Sequence, residues 1–446
     1  MNTENTLIEK ANSFIKTSVT LKLLTITILM LLLLIPASMI KSIIQEREKL
    51  NNEATDEVSS KWANEQQING PILTIPLTYE YEEENKKIMT TRYWHILPNN
   101  LNIDGKVFPE KLKRGIYEIV VYKSNLNVSG DFYINHEPDP QNLKEIQYDQ
   151  AFLTIGISDL RGIKNQINLN WNGENLKVQP GSKLTDIIYS GITITIPDLS
   201  EQVNQRIAFE FSVNLQGSKN LSFIPLGNKT SAQLRSPWPS PSFDGNFLPD
   251  NRELSKDGFT AYWSVLQLNR NYPQTWIGSG NKQQMQESAF GVNMIMPLDD
   301  YQKSLRSAKY AVMTIALTFL IFFLVEVLNK RKIHPFQYAL VGLALCLFYI
   351  LLVSISEHSN FNVAYGISSA GIVVMISLYS LSVFRKLNLS LILISTLCGI
   401  YGFLFVTLQL ADYALLMGSI GLLLILGLTM YFTRNINWYS LNMKTE

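Results

Sequence analysis

The stretch Tyr310 to Leu328, YAVMTIALTFLIFFLVEVL, decides the reading of the chain. At ~1.5 Å rise per residue it makes about 28 Å of helix, close to the ~30 Å hydrocarbon thickness of a bilayer. Glu326 is its only charge. Similar runs follow at Tyr338 to Ser356, Phe361 to Phe384, Leu389 to Leu408 and Tyr413 to Phe432, joined by short loops. Residues 310–434 therefore read as a five-helix transmembrane bundle.

Working outward, an eighteen-residue uncharged run from Leu23 to Ile40 follows a polar segment carrying Lys10, Lys16 and Lys22. It is too long for the usual apolar core of a signal peptide, so it is predicted to stay as an anchor. Basic residues mark alternate loops: 1–22, 329–336, Arg385-Lys386, then Arg434 and Lys444. Loops 357–360 and 409–412 have neither Lys nor Arg. Parity and the positive-inside rule then agree on six spans, both termini in the cytoplasm and residues 41–309 outside.

Between anchor and bundle the period changes. Residues 41–69 are charged, with Ile44, Leu50, Val58 and Trp62 interspersed, and predict a helical stalk. From Gly70 onward apolar residues alternate in short runs: Ile72 to Leu77, Lys87 to Leu97, Ile116 to Tyr122, Phe152 to Ile157, Ile192 to Ile196, Ile207 to Val213 and Phe259 to Leu268. These are strands. Asp104-Gly105, Asp244-Gly245 and Asp257-Gly258 supply turn residues. The predicted fold is an all-β, sandwich-like periplasmic domain over 70–300, inserted between one N-terminal transmembrane helix and the bundle. Residues 301–309 form a connector and 435–446 a cytoplasmic tail.

Net charge +1 argues against a nucleic-acid partner. The two cysteines, Cys346 and Cys398, lie in apolar runs and make neither a disulfide framework nor a zinc site. Four scattered histidines, His95, His136, His334 and His358, form no metal pattern, and no nucleophile or phosphate-binding motif is present. No catalytic, cofactor or metal residue is identified. Asp244, Asp250 and Asp257 lack calcium-loop spacing and read as turn residues.

Three places draw functional expectations. Ser236-Pro237-Trp238-Pro239-Ser240-Pro241-Ser242-Phe243 fixes an extended backbone and offers Trp238 and Phe243 as a docking surface for a periplasmic protein or the cell wall; its other reading is a rigid loop packed on the sandwich. Glu326 is an intramembrane charge, for which Lys330 at i+4 is the expected partner. Arg306 and Lys309 sit on the outer side against the usual charge bias. They are predicted to meet Glu357 or Asp412, beside His358, in a cluster that fixes the β domain on the bundle.

The chain closely resembles the CreD family of bacterial inner-membrane proteins. The resemblance rests on Gly70-Pro71-Ile72-Leu73, Pro225-Leu226-Gly227, Phe243-Asp244-Gly245-Asn246-Phe247-Leu248-Pro249 and Gly258-Phe259-Thr260-Ala261-Tyr262-Trp263. In the bundle it rests on His334-Pro335-Phe336-Gln337-Tyr338, Ser356-Glu357-His358, Asp412-Tyr413-Ala414-Leu415-Leu416 and Thr433-Arg434. It departs at Ser240 and Ala411, where many members carry His and Glu. The resemblance implies an inner-membrane protein that maintains envelope integrity and is linked to a two-component stress response; it assigns no catalytic residue. The leading reading is a non-enzymatic envelope protein with a β binding module and membrane lipid around its spans. A transporter or channel built on the bundle stays open. So does a membrane enzyme acting on lipid or glycan, with Glu357, His358 and Asp412 as its acid and base groups.

Overall fold

The computed structural model describes residues 19–83, 86–135, 138, 141–294, 300–328, 333–410 and 413–434. The chain divides into a sheet unit, Asn52–Pro297, and a helical unit, Met1–Asn51 with Leu298–Glu446. Helix α1, Val19–Trp62, runs for 44 residues through the expected anchor and most of the expected stalk, whose last residues, from Gln66, instead join the first strand. Its last turns belong to the sheet unit, where Lys219 reaches Asp56 at 2.8 Å and Arg114 reaches Glu57 at 2.8 Å.

Among the described residues the sheet unit holds seventeen strands in two linked sheets. The first is organised on the strand Gln66–Glu83, which pairs antiparallel with Lys86–Ile96, Leu143–Ile146 and Phe152–Ile157, and parallel with Asn220–Phe223. The second is organised on the hairpin Asn100–Arg114 and Tyr117–Tyr133. Arg206–Ser218 adds antiparallel to one side of it, and Lys229–Ser236 adds parallel to the other. Strand Glu174–Pro180 pairs into both sheets and joins them. Alternation explains the stacking: Ile207, Phe209, Phe211, Val213 and Leu215 all point inward, and the polar residues between them point out. Side chains of both sheets share one core. A short helix, α2 (Lys282–Glu287), precedes the last strand, Phe290–Met294.

One expected turn falls in mid-strand. Gly245 and Gly258 have φ of 98° and 140°, but Gly105 lies in the middle of Asn100–Arg114. It occupies the inward phase shared by Leu101, Ile103 and Val107, and a Cβ there would stand 2.5 Å from Leu234 Cδ2 and 2.7 Å from Leu126 Cδ2. The glycine serves close packing between neighbouring strands, not chain reversal.

His95 lies inside this unit, with Nδ1 3.1 Å from Thr74 Oγ1 and its ring 5.1 Å from that of Trp276. Burial pushes its pKa down to about 4, against a smaller opposing pull from Asp186. A folded pKa below the unfolded ~6.5 means that the unfolded chain takes up the proton first. Stability is therefore complete above pH ~6.5 and falls by on the order of 3 kcal/mol as the pH drops to ~4. Asp159 is held down to about 2, chiefly by the Arg161 side chain, so its own loss begins only below its unfolded value near ~4. Urea titrations at pH 7 and 4.5, read by tryptophan fluorescence, should show the midpoint drop. His95→Gln should flatten it; an equal drop in that variant would remove His95 as the cause.

In the helical unit α3 (Asp300–Lys309) and α4 (Ala311–Leu328) are followed by α5 (Pro335–Ser356), α6 (Phe361–Phe384), α7 (Leu387–Gln409) and α8 (Ala414–Thr433). Helix α5 starts on a capping box: the His334 side chain accepts from Phe336 N while its backbone N–H donates to Gln337, and Pro335 takes the first turn. Asn360 caps α6 by accepting from Val363 N at 3.0 Å. These caps set the short reversals between helices. Leu21–Trp62, Pro335–Ser356, Phe361–Phe384 and Leu387–Gln409 are long and apolar enough to cross a membrane. Tyr301–Lys309 and Ala311–Val327 reach that standard together, bent by 43°, and the apolar stretch Leu416–Tyr431 is shorter. Leu378, Leu423 and Leu426 stand more than half exposed on the outer faces, an arrangement suited to lipid. The interior is aromatic, with Phe319, Phe322, Tyr338, Phe348 and Tyr349 buried. Helix α1 packs on α5 at Gly342, where any Cβ would stand 2.1 Å from Leu33 Cδ1.

Candidate functional site

Glu326 lies near the end of α4 and is fully buried. Its Oε1 accepts the backbone N–H of Ile333 at 2.8 Å, and its Oε2 accepts the Tyr338 hydroxyl at 2.9 Å. The cation is Lys22 of α1, whose ammonium pairs with Oε1 and also donates to the Ile333 carbonyl at 3.0 Å. The expected partner, Lys330, lies outside the described residues. A buried carboxylate needs both a countercharge and hydrogen bonds to offset desolvation, and this one has a cation, an amide and a phenol. Three donors from three segments hold it in one orientation. Chemically this is a clamp joining α1, α4 and α5 rather than a group presented to a ligand.

Glu357, just past the end of α5, carries a second junction. Its Oε1 lies 3.5 Å from Arg47 Nε of α1 and 3.4 Å from the hydroxyl of Tyr301 on α3. Among the described residues the ion pair of Glu357 comes from Arg47, and Arg306 and Lys309 make none with it. Helix geometry gives the reason. Tyr301 occupies the place on α3 beside Glu357, and Arg306 and Lys309 lie about 7.5 and 12 Å further along the axis. Arg47 is 44% exposed, so the pair is worth ~0–1 kcal/mol. His358 stays exposed, with Nδ1 3.1 Å from the Ser354 carbonyl, and Asp412 lies outside the described residues.

At the expected docking loop Trp238 joins the core and Phe243 packs half-buried against it. Trp238 is 9% exposed and donates its indole N–H to the Ser240 carbonyl at 3.1 Å. Phe243 meets the rings of Phe259 and Trp263 edge-on at 5.6 and 5.7 Å. The prolines deliver the chain into a strand, Pro241–Gly245, that pairs with Phe290–Met294 and turns Phe243 toward the core. Among the described residues no group of three or more His, Cys, Asp or Glu is placed to hold a metal ion.

The family profile described as Inner membrane protein CreD matches residues 18–439, from the anchor helix through the last helix of the bundle. The chain belongs to the CreD family. The Inner membrane protein CreD of Escherichia coli (strain K12) is 35% identical over 419 residues, which cover 93% of this chain and 92% of that protein. Membership accounts for the layout, an inner-membrane protein with a sheet-rich domain between apolar helices. Sequence reasoning found Glu326 and Glu357 but missed Lys22, Arg47, Tyr301 and Tyr338 as their partners. In the sequence Lys22 stands only as a charge flanking the anchor. The usable signal was its position at the same end of a span as Glu326.

Proposed function

We propose that this CreD-family chain is a non-enzymatic inner-membrane protein that supports envelope integrity, with the sheet domain as a binding module on the periplasmic side and the helical unit as its anchor. Six spans place both termini in the cytoplasm and residues 41–309 outside, following the alternation of basic loops. The observation that carries the anchor reading is the saturation of Glu326. An intramembrane carboxylate is the usual place to look for an ion or proton path, and here Lys22, Ile333 and Tyr338 occupy it.

Alkaline phosphatase fused after residue 200 is expected to be active, and fusions after Lys332, Lys386 and Glu446 inactive. Activity at Lys332 would remove the six-span topology, since that loop holds the densest positive charge of the bundle. Co-sedimentation of the full-length protein with isolated peptidoglycan sacculi, in nanodiscs, tests the binding half. Absence of retention under conditions where the sheet domain is folded would overturn it for the cell wall.

A further inference from the structure

Among the clefts of the sheet unit, one of about 400 Å³ has no charged side chain among the described residues that line it. It lies where strands of both sheets end, between Trp94, Asn99, Tyr133, Asn228, Gln267 and Gln274. A neighbouring groove of about 440 Å³ is different in kind, since Lys106, Arg235, Glu253 and Asp257 line it with both signs. The size of the uncharged cleft suits one or two rings of a small ligand.

Its polar groups are carboxamides, each a donor and an acceptor on a neutral group. They are held in place from behind. Gln274 donates to the Pro98 carbonyl at 2.5 Å, and its oxygen is gripped by Arg270. That guanidinium is buried, bonds the Leu226 and Tyr272 carbonyls, and lies 4.2 Å from the centre of the Tyr272 ring, so its charge is spent inside the fold. Asn99 donates to Asp131 Oδ2 at 3.2 Å and accepts weakly from Asn228 at 3.5 Å. The Gln267 side-chain carboxamide has no hydrogen-bond partner among the described residues, which leaves its donors and acceptor for a ligand. Trp94 is fixed by its N–H bond to Thr275 Oγ1 at 2.6 Å, and Tyr133 stands 40% exposed with its ring available.

We propose that this cleft binds a neutral saccharide. Hydroxyl groups donate and accept at close spacing, as carboxamides do, and the apolar face of a sugar ring packs on an aromatic plane. A phosphate or an acidic peptide finds no countercharge among the described residues of the lining. The proposal rests on reading the sheet domain as a binding module and names its ligand class.

The test uses full-length protein in lipid nanodiscs, which keeps sugar-headed detergents away, titrated with chitotetraose by saturation-transfer NMR and calorimetry. A dissociation constant on the order of 0.1–1 mM is expected for so shallow a site. Tyr133→Ala and Asn228→Ala should each weaken binding about tenfold. Phe108→Ala in the charged groove should change nothing, and unchanged urea midpoints would show that all three variants fold. Glucosyl diacylglycerol in the nanodisc reports the source: competition assigns the site to a lipid head group, and its absence to a soluble glycan. No binding at ~10 mM, equal binding by the two cleft variants, or binding of a free stem peptide in preference to the sugar would overturn the proposal. Sacculus co-sedimentation run in parallel separates the two failures. Retention that survives both cleft variants sinks this cleft and leaves the binding module, whereas a parent protein that binds chitotetraose but not sacculi loses the cell-wall reading and keeps the cleft.

Discussion

Glu326→Ala is expected to destabilise the helical unit by about 3–5 kcal/mol, because it leaves the Lys22 ammonium without its countercharge and strips an acceptor from Ile333 N and the Tyr338 hydroxyl. The cost is that of an uncompensated buried group, so removing both charges should restore much of it. Lys22→Met with Glu326→Gln keeps an oxygen for Ile333 and leaves no unpaired charge. Thermal unfolding in nanodiscs and steady-state abundance in membranes would read the effect. An alanine variant as stable as the parent, or a double variant no better than the single, would show that the pair contributes little.

Trp263→Ala should cost the sheet unit about 3–5 kcal/mol. The indole is 1% exposed, packs on Phe243 and on Phe290 at 5.6 Å, and donates to the Phe247 carbonyl at 3.1 Å. Phe243→Ala should cost less, since that ring is only half-buried. Urea unfolding at neutral pH followed by far-ultraviolet circular dichroism would rank the two. If Phe243→Ala left the midpoint unchanged while abolishing sacculus retention, the ring would be a contact surface after all, and the core placement would carry no energetic weight.

How far the sequence could be read follows from the range of each interaction. Strands whose apolar residues alternate, such as Phe152–Ile157 and Arg206–Ser218, were legible because a period of two is a local property. Asn100–Arg114 had the same alternation in Leu101, Ile103 and Val107, but Asp104-Gly105 also satisfies a turn. Only the neighbouring side chains, Leu126 and Leu234, decide between the two. Trp238 shows the same limit from the other side, since prolines announce an extended segment without saying which face it buries. In the helical unit the spans and the carboxylates could be found, because length and an isolated charge are visible in one dimension. Arg47 and Tyr301 could not be assigned to them, because pairing across the bundle leaves no periodic trace, whereas Lys22 shares with Glu326 the same end of a span.

The distance along the chain between Lys22 and Glu326 also sets a timetable. At ~5–20 residues per second, the roughly 300 residues between them take about 15–60 s to synthesise. Throughout that interval the ammonium of the first span lacks its Glu326 countercharge, and hydration at the membrane surface is what offsets the loss. The entire sheet unit is made before the countercharge exists. Closure of the Lys22–Glu326–Tyr338 clamp is consequently a late event in biogenesis, and a chain interrupted anywhere before α4 carries a lysine that marks it as unfinished.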